Sequence, residues 1–444
     1  MGDPIVPKHD HATLEFPKGF LWGTGTSSYQ VEGNNIHSDW WGWEQTHWPE
    51  EKRSGQACDQ YNRYEEDFDL IKKLNQNTHR LSIEWSRIEP EEGVFDQKEI
   101  EHYIKELKAL KSLGIKVMLT LHHFSNPLWL AQKGGWENFK APYYFERFVK
   151  KIVPEIKDYV DFWITINEPG LYVWMAYLGG DEAGQFPPAK TSNLAAARAM
   201  WNFIRAHKKA YKAIHKLIPE AKVGMAQNVQ SFTAYHKHSV REQLGVIVSD
   251  LVTNHLFYFF TKGHHDFLGI NYYFHRRFIR KDSFLPTFED VTAYTKKYAT
   301  TNDVSDTGWE INPEGIFNVL TDMADGLPIY ITECGIAAIN DDRRIRFLMQ
   351  YLQEVYKAIE AGVKVKGFFY WSLIDNFEWH RGYDPRFGLI EIDYETQKRI
   401  TRPSALIYAD IIKHNGIRHE LMKFLGHRIH VTDVIEIPGV GKIG

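Results

Sequence analysis

A single-domain (β/α)8 barrel, an α/β fold of eight parallel strands, is what this sequence predicts. Three observations carry the expectation. Eight short apolar runs recur along 444 residues, amphipathic stretches of helical period separate them, and no Pro/Gly/Ser-rich linker or internal repeat divides the chain. Apolar runs without strict alternation suit strands buried on both faces, as in parallel sheets, and eight βα units close a barrel.

The strand candidates follow in order: 20–29 (FLWGTGTSSY), 78–85 (THRLSIEW), 116–123 (KVMLTLHH) and 161–168 (DFWITINE). The second four are 222–229 (KVGMAQNV), 266–273 (DFLGINYY), 328–333 (PIYITE) and 365–373 (VKGFFYWSL). Helical period marks 61–74, 99–114, 196–218 and 343–362, and Gly114 and Gly362 stand where helix-terminating glycines belong. A doubly wound open sheet is the competing fold. It calls for a Gly-rich phosphate turn early in the chain, and GTGTSS at 23–28 lacks the last glycine. The formal match GVGKIG at 439–444 has no helix after it and reads as chance. Residues 276–310 show no period, which predicts a long loop over the barrel mouth after the sixth strand. The organisation expected is an N-terminal extension (1–15), the barrel (16–416) and a C-terminal extension of unassigned role (417–444), whose alternation resembles an edge strand.

Composition narrows the function. The chain is 43% hydrophobic and 25% charged with a net charge of −4, so no electrostatic attraction to nucleic acid or anionic membrane is expected. The two cysteines, Cys58 and Cys334, can form neither a disulfide framework nor a metal cluster, which points to a reducing, cytoplasmic compartment. The first residues lack the pattern of a signal peptide, Val6 stands where myristoylation needs Ser or Thr, and no apolar run approaches 18 residues, so no membrane-spanning helix is expected. Of the 14 Trp, 23 Tyr and 27 Phe some fill the core, and Trp in such numbers also suits stacking on the apolar faces of sugars or bases.

In a barrel, polar residues at strand C-termini converge on one mouth. Those here are Gln30, Glu32, Arg80, His122, His123, Asn167, Glu168, Asn228, Asn271, Tyr273, Glu333, Trp371, Asp375, Glu378 and Trp379. The set contains strand-end carboxyls, Glu168 and Glu333, with neutral hydrogen-bonding groups and indoles. It has no Schiff-base lysine, phosphate loop or serine nucleophile. Two such carboxyls suit glycoside hydrolysis, one protonating the leaving oxygen and the other meeting the oxocarbenium-like carbon.

The segments FLWGTGTSSYQVEG, HRLSIEWSRI, TLHHFSNPLWL, ITINEP, FLGINYY, YITECG and YWSLIDNFEWHRGYDPRFGL, in that order, resemble glycoside hydrolase family 1, the β-glucosidase-like retaining enzymes. The resemblance spans about residues 16–415 and implies roles that the residues alone leave open. Glu168 matches the general acid/base and Glu333 the nucleophile. Gln30, His123, Asn167, Glu378 and Trp379 match residues that bind the glycone, with Trp371 as its floor; Arg80, Asn271 and Tyr273 match supporting neighbours. Retention of Glu378 and Glu168 implies O-glycosidase activity on unphosphorylated β-glucosyl residues, with β-galactosyl and β-fucosyl as further glycones. No cofactor or metal is implied. Small β-glycosides or short β-linked oligosaccharides are the expected partners, without nucleic acid or membrane, and homo-oligomerisation is left open. The chain departs from the family at Cys334 (usually Asn), at Phe124 (usually Trp), in a short 230–265 segment and in the basic run HRRFIRKD at 275–282.

Blander readings compete. A strand-end carboxylate is often a structural ion-pair partner. His122 and His123 could be core hydrogen-bonders, and His236, His238, His264 and His265 read as surface residues. A non-catalytic sugar-binding barrel, or a glycosidase acting mainly as a transglycosylase, would keep the same residues.

Overall fold

The computed structural model of the chain describes residues 12–180, 184–280, 288–290, 304–425, 435–437 and 441–443. Its centre is a ring of β1 (Leu21–Gly25), β2 (Thr78–Ser82), β3 (Lys116–Thr120), β4 (Phe162–Asn167), β5 (Val223–Ala234), β6 (Leu268–Arg280), β7 (Ile329–Cys334) and β8 (Val365–Trp371). The strands pair in parallel in chain order, and β8 returns to β1, closing the barrel.

Around the ring run α1 (Gln60–Lys73), α2 (Gln97–Ser112), α3 (Ala141–Ile156), α4 (Pro169–Tyr177), α5 (Asn193–Leu217), α6 (Val240–Asp250), α7 (Leu256–Thr261), α8 (Pro313–Asp322), α9 (Asp341–Glu360) and α10 (Pro403–Lys413). Local chemistry sets their ends. The Asp96, Asn312 and Asn340 side chains accept from the first-turn amides of α2, α8 and α9 at 2.8, 3.2 and 2.9 Å. Gly114 and Gly362 close α2 and α9 at φ +76° and +94°, where a side chain would be strained. On α3, Phe145, Phe148, Val149, Ile152 and Ile156 share a face at helical spacing and are all buried against the strands.

Inside the ring, Leu21, Met118, Phe162, Ile164, Phe267, Tyr330 and Phe369 form an apolar plug. The Phe162 and Phe267 rings each meet Tyr330 at 5.2 Å. Full burial of such side chains contributes about 1.5–3 kcal/mol apiece. The plug draws on strand beginnings and middles, which leaves the strand C-termini to polar residues.

All eight predicted strands form, with three differences. The first ends at Gly25, and Ser28–Val31 is a helical turn. β5 and β6 run on past their predicted ends and stay paired, Ser231 with His275 through Ala234 with Phe278. The predicted 276–310 loop therefore begins as strand. Its charges mislead the sequence reading because they are satisfied in place: Glu310 accepts from His275 at 2.9 Å and from Arg277 at 2.7 Å. Third, against the expectation of no such helix, the helical stretch Val240–Thr261 is by length and composition apolar enough to cross a membrane; the sequence reading passes over it because scattered polar residues interrupt the apolar run. Ala12–Glu15 pairs antiparallel with Gly416–Arg418, and Ile435–Ile437 pairs with Gly441–Ile443, so no helix begins at the GVGKIG match.

Candidate active site

The β4 sequence ends in Asn167, and Glu168 follows at φ 44°, a left-handed turn that starts α4 and leaves the carboxyl buried in the barrel mouth. On β7, side-chain alternation sends Glu333 into the same mouth. Cys334 points the other way, into the hydrophobic layer shared with the helices, where burial raises its thiol well above the ordinary range. Sequence adjacency to Glu333 thus gives Cys334 no place in the site.

The two carboxyls have unlike surroundings. Glu333 forms an ion pair with Arg80, and its other oxygen accepts from the Tyr273 hydroxyl at 2.8 Å. Arg80 is itself fixed by Thr120 Oγ1 (3.2 Å), the Thr332 carbonyl (3.1 Å) and Asn167 Oδ1 (2.6 Å), so it ties β2, β3, β4 and β7 together. Among the described residues Glu168 accepts hydrogen bonds from neutral donors, Asn271 Nδ2 at 2.8 Å and Asn228 Nδ2 at 3.2 Å, both on one oxygen. Burial, and then the negative charge of Glu333, push Glu168 up to about 8. Asn271 is the link between the two. It sits opposite Glu333 in the β6–β7 register, donates to Asn167 and Glu168, and is oriented by Thr332 at 2.7 Å.

A second cluster faces them. Gln30 donates to Glu378 Oε2 at 3.2 Å and to Asn376 Oδ1 at 3.0 Å, and accepts from Ser27 at 2.7 Å. Burial, then the Glu333 charge, push Glu378 also to about 8. His123 accepts from Asn167 Nδ2 at 3.3 Å, and its ring lies nearly parallel to those of Trp371 and Trp379. Burial first, and then Arg80, hold His123 far below its usual value, so it is a neutral imidazole. Its Nδ1 is buried without a hydrogen-bond partner among the described residues. Trp379 is braced by Tyr29, Trp40 and Phe124.

Trp371 is seated by backbone contact. A Cβ at Gly335 would lie 1.8 Å from the Trp371 carbonyl oxygen and 2.8 Å from its carbonyl carbon, and main chain cannot swing aside. Gly335→Ala is therefore expected to destabilise the fold by about 1–3 kcal/mol or more and to raise KM by displacing the indole. Denaturant unfolding together with steady-state kinetics checks this; a variant matching wild type in both would sink the argument.

The structure thus brings together Gln30, Arg80, His123, Asn167, Glu168, Asn228, Asn271, Tyr273, Glu333, Trp371, Glu378 and Trp379. Three strand-end residues fall outside. Glu32 pairs with Arg87 and accepts from Tyr103 at 2.8 Å behind the mouth. Asp375 is held by both terminal nitrogens of Arg402 at 2.9 and 2.8 Å. His122 packs among Trp136, Phe145 and Phe203, with Asn126 at 3.0 Å. His265 is not a surface residue either: it is buried, stacked on His207 and bonded to Thr261. Sequence reasoning misses Thr332, Asn376 and Gln230, whose amide donates to Asn228 Oδ1 at 2.9 Å. Gln230 was findable, two residues beyond Asn228 once the strand is extended.

Comparison with known proteins bears on this geometry. The sequence pattern of Glycosyl hydrolase family 1 matches residues 12–244 and 233–417, nearly the whole barrel. The chain belongs to this family. A Thermotoga maritima protein named Beta-glucosidase A is 33% identical over 91% of this chain and 99% of its own length. A Sulfolobus acidocaldarius protein named Beta-galactosidase is 30% identical over 92% and 97%. Among solved structures, a beta-glycosidase from Pyrococcus horikoshii superposes with a TM-score of 0.85 at 35% identity, covering 94% of this chain and 99% of that one. A Thermotoga maritima beta-glucosidase in complex with deoxynojirimycin gives 0.82 at 31% identity, covering 91% and 100%. Family 1 membership makes the chain a glycosidase, with the barrel mouth as the place to seek its chemistry.

Proposed function

We propose that the chain is a retaining β-glycosidase that removes terminal, unphosphorylated β-D-glucosyl residues, and β-galactosyl or β-fucosyl residues as further glycones, by double displacement. One observation carries the reading: of the two buried carboxyls at the ends of β4 and β7, Glu333 is paired with a cation and a phenol, while Glu168 accepts hydrogen bonds from amides and is pushed up to about 8 by burial and the Glu333 charge. That division suits a nucleophile and an acid. In the first step Glu333 attacks the anomeric carbon from the α face while the Glu168 proton passes to the leaving oxygen. The glycosyl ester on Glu333 removes its charge, so Glu168, now deprotonated, loses the repulsion that held its proton. It then takes a proton from water, which attacks from the β face and frees Glu333.

Gln30, His123, Asn167 and Glu378 supply the hydroxyl contacts, Trp371 the floor and Trp379 an apolar wall. The buried, unpaired Cys58 and Cys334 support a reducing, cytoplasmic setting. The test is the anomer first formed from an aryl β-glucoside, followed by proton NMR before mutarotation. β-Glucose is expected; α-glucose would overturn the retaining reading, and no turnover would favour a sugar-binding barrel. Comparing kcat/KM across aryl glucoside, galactoside, fucoside, mannoside and 6-phosphoglucoside ranks the glycones, with the 6-phosphate expected last because the acid Glu378 lines the pocket.

A further inference from the structure

Helices α6 and α7 form one surface stretch with an inverted pattern. They are joined by the π-helical turn Leu251–His255, making a continuous helical rod from Val240 to Thr261. Its inner face is stitched to the barrel. Asn254 exchanges hydrogen bonds with the backbone of Gln230 at 2.9 and 2.8 Å, and Gly245, Phe257 and Thr261 are buried. Its outer face should be polar, yet every exposed residue from Leu244 to Phe260 is apolar: Leu244, Ile247, Val248, Leu251, Val252, Phe259 and Phe260. Phe259 is 72% exposed, and Val240, just before this run, is 82% exposed. The spacing i, i+3, i+4, i+7 and i+8 from Leu244 makes one continuous stripe, too large and too regular for scattered surface apolars.

The exposed charged residues at the two ends of the stripe are cationic. Lys237, His238 and Arg241 are exposed at its start and Lys262 at its end. Beside it runs α5, whose 25 residues include six Lys or Arg and no Asp or Glu in a chain of net charge −4, although Lys209 is turned away to Glu146 on α3 at 2.7 Å. The α5 indole Trp201, itself exposed, meets Phe260 edge-on at 6.2 Å, and Lys208 and Lys212 act electrostatically on His264 just past α7. The nearby acids are engaged: Glu242 with His236 at 2.9 Å, and Asp250 and Asp322 with His255 at 3.3 and 2.6 Å.

We propose that this face docks on a lipid bilayer bearing anionic headgroups, with the apolar stripe at the acyl boundary and the cations of α5 and of the rod's two ends against the phosphates. An apolar stripe with aromatic residues, bordered by Lys and Arg, is the chemistry of an interfacial helix. The buried inner face keeps the rod lying on the surface rather than crossing it. A second copy of the chain fits less well, since its own α5 would bring like charge to the contact. The negative net charge of the whole chain hides this local asymmetry.

The test is flotation of the full chain with phosphatidylcholine vesicles, with and without one quarter phosphatidylglycerol. The protein is expected to float with the anionic vesicles, and less as salt is raised. Leu244→Gln/Ile247→Gln/Leu251→Gln is expected to weaken partitioning more than tenfold, and Lys208→Ala/Lys212→Ala about fivefold per removed cation. Circular dichroism and thermal unfolding confirm that both variants fold. Absence of flotation, or flotation indifferent to the triple change, overturns the proposal. So does a wild type that is dimeric by light scattering and becomes monomeric in the triple variant, because the stripe is then covered by a second copy.

Discussion

Glu333→Gly is expected to lower kcat/KM for an aryl β-glucoside on the order of 10^5-fold, the scale of removing a nucleophile from an otherwise intact site. The loss should be chemical rather than structural. Glu333 is a buried carboxylate whose ion pair with Arg80 is one of several Arg80 contacts, and the others, to Thr120, the Thr332 carbonyl and Asn167, remain. Removing the carboxylate leaves a small anion-sized space beside a guanidinium and a phenol. Azide or formate is expected to enter it and restore turnover. Because azide then attacks from the face that Glu333 occupied, the product should be α-glucosyl azide, with Glu168 still protonating the leaving oxygen. A β-azide would exchange the roles of the two acids, and failure of any anion to rescue would remove Glu333 as nucleophile.

The legible parts of this site are those in which a short-range pattern has a long-range consequence. A β-branched run that ends in one acid, as at ITIN-Glu168 and IYIT-Glu333, places that acid at a strand end whatever the rest of the chain does. Eight short apolar runs imply the ring, and the ring implies that the ends meet. Features that depend on register stay hidden. Glu32 and Asp375 stand as near to strand ends as Gln30 and Glu378, but Arg87 and Arg402 hold them elsewhere, and those partners are set only by packing. Gln230 is different: it stands two residues beyond Asn228 and needs only a longer strand to be found. Cys334 shows the opposite error, because adjacency along a strand separates two side chains by the full thickness of the sheet. The α6–α7 rod escapes a sequence reading for yet another reason: its apolar spacing is that of an ordinary core-facing helix, and only the exposure of each residue shows that the stripe faces out.

Replacing Glu168 with alanine is expected to divide substrates by leaving group. An alkyl β-glucoside needs its oxygen protonated as the bond breaks, so kcat/KM should fall about 10^2–10^4-fold. A nitrophenyl glucoside, whose phenolate leaves unaided, should lose far less in the first step. The pH dependence follows from the same residue. Glu168 must carry its proton when substrate arrives, and burial with the Glu333 charge pushes it up to about 8. Activity in wild type should therefore hold through neutrality and decline as pH rises through about 8, where the acid form is lost. Glu378 is pushed to the same value by burial and by Glu333, so the decline alone does not identify its source. The variants separate the two. In Glu168→Ala the alkaline decline should vanish from kcat/KM for the nitrophenyl substrate, whereas in Glu378→Gln it should persist beside a raised KM. The reverse result would move the titrating proton to the glycone side and strip Glu168 of the acid role. If the decline persists in both variants, neither carboxyl controls it, and the raised position of Glu168 in the resting site has no consequence for turnover.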